Sequence, residues 1–247
     1  MNEYPVDLHI HTCLSPCGSL AMSPSAIIQG ALAKGLSAIA ITDHNTTLQC
    51  PEIQAPGREA GLTVFAGAEV TTREEAHCIV LFPSEEVRLR FQSYLEEHLP
   101  AVPNNPEYFG DQVWVNRREE VLGEYPRLLI SALRQSIDQV AACARRMGCL
   151  FVPAHVERPA NSVIGQLGFL DPRLPVDAIE YHDPQQFEKL RKAHPCLDKY
   201  TCYTASDAHF PDQIGTPCAL LNAPSLTFAN LARAFHKEEG CSISSFF

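Results

Sequence analysis

Asp7-Leu8-His9-Ile10-His11 is the stretch from which the rest of this chain can be read. Val6, Leu8 and Ile10 alternate with Asp7, His9 and His11, and Tyr4-Pro5 precedes them as a strand entry. A period of two argues for a β-strand. Successive side chains on a strand point to opposite faces, so His9 and His11 share one. Two imidazoles on one rigid strand can reach a single metal ion without moving backbone. For this pair alone, a solvated strand face is an equally good reading. It weakens because more residues of the same kind follow, each beside an apolar run.

Working outward, Thr12 to Ser19 is a loop by its Ser, Pro and Gly content. Ser23-Pro24 reads as an N-cap with proline at the first helical position, and Gly35 ends that helix. The apolar run Leu36 to Ile41 suits a buried parallel strand and delivers Thr42-Asp43-His44-Asn45. The pattern repeats. Strands over 62–68, 149–154 and 200–205 deliver Glu69, His155 and Ser206-Asp207-Ala208-His209, the strand 78–82 follows His77, and the strand 176–181 ends in Glu180-Tyr181-His182. Helices are expected over 51–60, 85–98, 129–147, 183–193 and 226–236, with a short one over 161–168. Residues 99–128 read as an irregular insertion in a single domain spanning 1–247. Long loops in compact domains are usually functional or disordered. Strands alternating with helices predict parallel pairing and right-handed crossovers. In barrels so built, the active site gathers at the C-terminal face from several strands.

The chain has 247 residues, 45% hydrophobic, with a net charge of −10. That length suits one α/β barrel. The acidic balance argues against a phosphate-backbone binder, so no nucleic-acid partner is expected. The ten cysteines form no CxxC pair and read as reduced, mostly buried thiols of a cytoplasmic protein. The first strand begins almost at residue 1, which leaves no room for a targeting segment. No apolar run approaches the ~20 residues of a membrane span. The sequence does not set the oligomeric state.

The candidate ligands are His9, His11, Cys17, His44, Glu69, His77, His155, Asp207 and His209. Neutral imidazole with carboxylate suits zinc, manganese or iron, and one carboxylate such as Glu69 can bridge two ions ~3.5–4 Å apart. Each residue alone has a plain structural explanation. Six of the ten histidines fall at strand ends or starts, which makes coincidence a poor account of all. Asp43 reads as an acceptor holding an imidazole rather than as a ligand. Arg158, close behind His155, can offer a bidentate fork to phosphate or pair with a nearby acid. Asn45 is a further substrate-contact candidate.

These segments resemble the PHP family, the polymerase and histidinol phosphatase superfamily of metal-dependent phosphoesterases. The matching pieces are Asp7-Leu8-His9-Ile10-His11-Thr12, Ile41-Thr42-Asp43-His44, Gly67-Ala68-Glu69, Pro153-Ala154-His155 and Ser206-Asp207-Ala208-His209, in family order. The resemblance implies a distorted (β/α)7 TIM-like barrel with two or three divalent metal ions (Zn, Mn or Fe) at the C-terminal face of the strands. It implies one ion on His9, His11, Glu69 and Asp207, and a second on Glu69, His77 and His155. A third would take His44, His209 and a ligand from the first loop. Relatives often place histidine or aspartate in that loop. Here Cys17 is either the substitute ligand or a small turn residue beside a weak or empty site.

The expected function is hydrolysis of a small phosphate monoester, a nucleotide or histidinol-phosphate-like compound, by metal-activated water. Glu69 and Asp207 would organise the metals, and His209 or an acid near it would protonate the leaving alkoxide. The alternatives are a phosphodiester substrate and a non-catalytic, regulatory metal-binding module. Amide hydrolysis on a modified lysine is disfavoured because no lysine ends a strand.

Overall fold

The computed structural model describes residues 1–246. β1 (Asn2–Ile10) leads through α1 (Pro24–Ala33), β2 (Ala38–Ile41) and α2 (Cys50–Glu59) to β3 (Thr63–Thr71), β4 (His77–Leu81) and α3 (Glu85–His98). Next come α4 (Pro106–Phe109), β5 (Val113–Val115), β6 (Val121–Glu124), α5 (Ile137–Arg146), β7 (Leu150–Pro153), α6 (Val163–Leu167) and β8 (Ile179–Tyr181). The chain ends with α7 (Pro184–Ala193), β9 (Cys202–Thr204), β10 (Cys218–Ala223), α8 (Phe228–His236) and β11 (Ser242–Phe246). The helix boundaries follow local chemistry. Ser23, Ser84 and Ser162 accept N-cap hydrogen bonds from Ala26, Val87 and Gly165. Gly35, Gly61 and Gly148 leave their helices at positive φ, which glycine adopts without strain.

Seven strands form one curled sheet in the order β11-β10-β1-β2-β3-β4-β7, and β8 pairs with β9 beside it. β1, β2 and β3 are parallel, with Val6 opposite Ala38 and Ala38 opposite Thr63. The expectation of parallel pairing throughout fails at β4, which is antiparallel to both β3 and β7. Only residues 72–76 separate β3 from β4, too few for a crossover between parallel strands. The reversal brings His77, the first residue of β4, opposite Thr71 at the end of β3. A residue at a strand start thus joins residues at strand ends. β10 and β11 are antiparallel as well, so the regular (β/α)7 alternation gives way to a mixed, curled α/β sheet. Backbone bonds carry the curl onward: Val156 N donates to Glu180 O, and His11 N to Ala208 O.

Two buried clusters lie on the two faces of this sheet. Ile39 and Ile41 pack with Ile27, Ile53, Phe91 and Val140 of the covering helices. Ala38 and Ala40 pack with Val6, Leu8, Tyr203, Leu231 and Phe235. Burying a large apolar side chain contributes ~1.5–3 kcal/mol, so helices and sheet hold the strand ends in fixed register. No helix among the described residues is long and apolar enough to cross a membrane.

Two segments differ from the sequence reading. Residues 99–128 are not irregular: they hold α4 and the β5–β6 hairpin. The Gln49 amide pins this hairpin, donating to Val115 O and accepting from Val115 N. The helix expected over 129–147 begins only at Ile137, where Ser136 and Gln139 form a reciprocal capping box. Residues 129–133 are a turn and loop, with Ser131 N bonded to Leu128 O and Leu133 N to Thr71 O.

Candidate metal centre

Glu69 sits at the middle of the site, buried, with five imidazoles around its two oxygens. His77 Nδ1 is 2.9 Å and His155 Nε2 3.0 Å from Oε1, with His9 Nε2 at 3.5 Å. His44 Nδ1 and His11 Nε2 lie 3.0 and 3.2 Å from Oε2. Asp207 Oδ1 comes within 3.2 Å of His9 Nε2 and 3.1 Å of His11 Nε2. His209 stacks on His11 with ring centres 4.2 Å apart. The ligand atoms of His11, Cys17, His44 and His209 converge within 4.8 Å, as do those of His9, His11, Glu69 and Asp207, and of His44, Glu69 and His77. The fold therefore assembles all nine expected ligand candidates at one end of the sheet.

Hydrogen bonding behind the site sets which nitrogens face inward. His9 Nδ1–H donates to the buried Glu180 carboxylate at 2.9 and 3.0 Å. His11 Nδ1 donates to Ser15 Oγ at 3.0 Å, and that hydroxyl donates onward to Asp43 Oδ1 at 2.6 Å. Both Nε2 atoms then carry lone pairs, yet they face each other at 3.1 Å among the oxygens of Glu69 and Asp207. Acceptors converge on acceptors, which is stable only with positive charge between them. His155 Nδ1 is buried with no hydrogen-bond partner, and His44 Nδ1 is out of line for its carboxylate neighbour. Buried polar atoms without partners are rare and costly. Cations among the inward Nε2 atoms, His44 Nδ1 and the carboxylates would satisfy the converging acceptors, so the donor set fits a multinuclear metal site. Divalent ions of the zinc, manganese or iron type match imidazole and carboxylate.

In the metal-free chain protons take that role. Burial opposes charge on His9 and His11, but the carboxylates around them prevail: Glu180, Asp207 and Glu69 raise His9, and bonds to Asp207 and Glu69 raise His11 to about 9. Burial also opposes ionisation of Glu69 and Asp207, yet the histidine charges hold both carboxyls well below their usual range. Burial and the positive His11 push His209 down to about 4. A neutral imidazole suits lone-pair donation. His155 and Asp207 adopt positive φ of 31° and 51°, a conformation costing ~1–3 kcal/mol in a non-glycine residue. Such strain persists where surrounding structure over-determines a position.

The remaining candidates divide. Asp43 accepts from Thr12 N, Thr12 Oγ1 and Ser15 Oγ, so it lies one hydroxyl away from His11. Arg158 donates from Nη1 to Asp207 Oδ2 at 2.6 Å and lines the cleft over the centre. The Asn45 amide is already engaged within the protein. The residue is buried; its amide donates to Leu129 O and Ser131 O and accepts from Thr71 N. It therefore ties the 129–131 loop to β3, and that loop supplies Ile130 to the cleft wall. Glu180 was missed in the sequence. Its signal was a carboxylate between Ile179 and Tyr181 in an otherwise apolar strand.

A PHP domain family model matches residues 7–153. The chain belongs to the PHP domain family. Over 89 residues it is 36% identical to an uncharacterized protein of Methanocaldococcus jannaschii, covering 33% of this chain and 52% of that protein. Over 73 residues it is 30% identical to the 5'-3' exoribonuclease of Haemophilus influenzae, covering 30% of this chain and 26% of that enzyme. The lesion-specific endonuclease PfuEndoQ of Pyrococcus furiosus shares the fold over 98% of this chain and 58% of its own, with a TM-score of 0.70 and 19% identity. An Endonuclease Q structure with a 27-mer duplex bearing an abasic lesion at the active site matches with a TM-score of 0.68, 18% identity and the same coverage. The matches thus span little more than half the length of the first of these relatives.

These comparisons overturn one expectation. The acidic net charge argues against a nucleic-acid partner, yet an endonuclease sharing this fold takes a DNA duplex at its active site. Charge summed over a whole chain does not describe its cleft. Here Arg158 stands beside a centre built to hold cations.

Proposed function

We propose that this PHP chain is a metal-dependent phosphoesterase that cleaves phosphodiesters of the nucleic-acid type. One observation carries the reading. The cleft over the centre, about 430 Å³, shares Cys17, Arg158, Asp207 and His209 with a second cleft of about 470 Å³. A phosphate at the centre therefore has room on both sides. A monoester has one organic group to place; a diester has two. The fold shared with Endonuclease Q and the sequence likeness to an exoribonuclease support the same substrate class.

Ions on His9, His11, Glu69 and Asp207, on Glu69, His77 and His155, and on His44, His209 and Cys17 would supply Lewis acidity and an activated water. The chain's own contribution is orientation and charge. Glu180 and Ser15 hold the His9 and His11 Nδ1 protons, so both Nε2 lone pairs point inward. Arg158 spends one guanidinium nitrogen on Asp207, and its other N–H groups remain for phosphoryl oxygens, where positive charge stabilises developing negative charge.

The test compares bis(p-nitrophenyl) phosphate and short single-stranded oligonucleotides with p-nitrophenyl phosphate, using metal-loaded protein. The reading expects diester cleavage that Glu69→Gln and His155→Ala abolish. Phosphate release from the monoester without diester cleavage would return the function to a small-molecule phosphatase. Bound metal with no turnover on either class would leave the non-catalytic module.

A further inference from the structure

The second cleft is lined by His182, Phe210, Gln213 and Thr216 in addition to the residues it shares with the centre. Phe210 directly follows His209, yet 49% of it is exposed. An exposed phenyl ring costs hydration, and nothing in the core accounts for this one. Its backbone is fixed. Gln213 Oε1 accepts from both His209 N at 2.8 Å and Phe210 N at 3.1 Å, closing the turn that carries the ring. The same cleft holds polar side-chain atoms without protein partners, one a donor and one an acceptor. Among the described residues, Gln213 Nε2 and His182 Nε2 make no hydrogen bond, while His182 Nδ1 is held by Ala205 O at 3.2 Å. An exposed aromatic ring on a fixed turn, in one cleft with a free amide donor and a free imidazole acceptor, fits a flat, polar-edged ring. A purely aliphatic ligand would leave those groups without partners.

We infer that Phe210 is the stacking platform of a nucleobase subsite, in which the base of the nucleotide flanking the scissile phosphate lies on the phenyl ring with its edge toward Gln213 and His182. The inference rests on the diester reading above and specifies its substrate side. Base–aromatic stacking tolerates any base, because every base has a π-face. The subsite therefore selects for the presence of a base beside the phosphate and not for its identity.

The experiment measures KM and kcat of the metal-loaded protein on a dinucleotide and on its analogue lacking the base on one flanking nucleotide. Stacking is worth ~1–3 kcal/mol per base, and 1.4 kcal/mol is tenfold, so Phe210→Ala should raise the dinucleotide KM about 5- to 150-fold. KM for the base-free analogue should stay unchanged, and Phe210→Tyr should restore the dinucleotide value. An equal effect of Phe210→Ala on both substrates, or none on the dinucleotide, overturns the subsite. A binding arm keeps this separate from the reaction. In Phe210→Trp, titration with adenosine 5'-monophosphate should quench the introduced indole, whereas ribose 5-phosphate should not. Quenching without diester cleavage by the parent protein would sink the proposed reaction and sustain the subsite. Equal response to both ligands would sink the subsite.

Discussion

Glu180→Ala tests whether the inward lone pairs of the centre depend on the hydrogen bonds behind them. Glu180 is fully buried and accepts from His9 Nδ1 at 2.9 Å and from His155 N at 3.3 Å. Truncation leaves both donors buried without an acceptor, at ~1–3 kcal/mol for each group. The metal-free protein should accordingly lose about 2–6 kcal/mol of stability, read by urea denaturation. The imidazole of His9 becomes free to rotate or to place its proton on Nε2, where the lone pair is needed. Loss of such a partner typically lowers metal affinity 10–100-fold. Calorimetric titration with zinc or manganese should show a drop of that order. Glu180→Gln keeps an acceptor oxygen but loses the charge, and its affinity should fall between. Glu180→Ala that folds and binds metal within twofold of the parent would refute the reasoning.

Other consequences follow from single residues. Burial lifts the Asp7 carboxyl from 3.8 to about 6, against the bonds from Ser206 and Gly215 that favour its charge. A raised folded pKa means stability that is fully present below the unfolded value and lost as pH rises through the folded one. Metal-free protein should therefore lose roughly 2 kcal/mol of stability relative to Asp7→Asn between pH 4 and 7, measured by denaturation at each pH. Gly110 has φ of 99°, and a Cβ there would lie 2.2 Å from Pro16 O. Gly110→Ala should cost at least ~1–3 kcal/mol and, by shifting the loop that carries Cys17, lower metal content in elemental analysis. Asn45→Ala should lower the melting temperature through loss of its three backbone bonds, with substrate KM nearly unchanged once the protein is folded. A raised KM at full stability would mark Asn45 as a substrate contact.

Much of the site was legible because ligands stand beside apolar runs, and a strand's period of two fixes which residues share a face. His9, His11, Glu69, His155, Asp207 and His209 needed only that rule and the idea that strand ends converge. His77 was found, but its geometry was not. The five-residue link from Thr72 to Ala76 already requires a hairpin, and that reversal places a strand-start residue at the common end. The helix boundary at Ile137 was also written locally, in the Ser136–Gln139 capping pair, but Leu129 and Leu133 share the helical spacing and masked it. Asn45 reads from the sequence as a further substrate-contact candidate. Only the fold shows Leu129 and Ser131 arriving to use its amide. Glu180 left a local trace, a carboxylate in an apolar strand, but its partner His9 and the meeting of two clefts at Arg158 depend on long-range packing, which no local pattern encodes.

Anomalous scattering from crystals of protein purified without chelator tests the central claim most directly. The account predicts strong peaks on both sides of Glu69, with one ion between His9, His11 and Asp207 and another beside His77 and His155. Diffraction with no peak among these residues, even after reconstitution with zinc, manganese and iron, would contradict it.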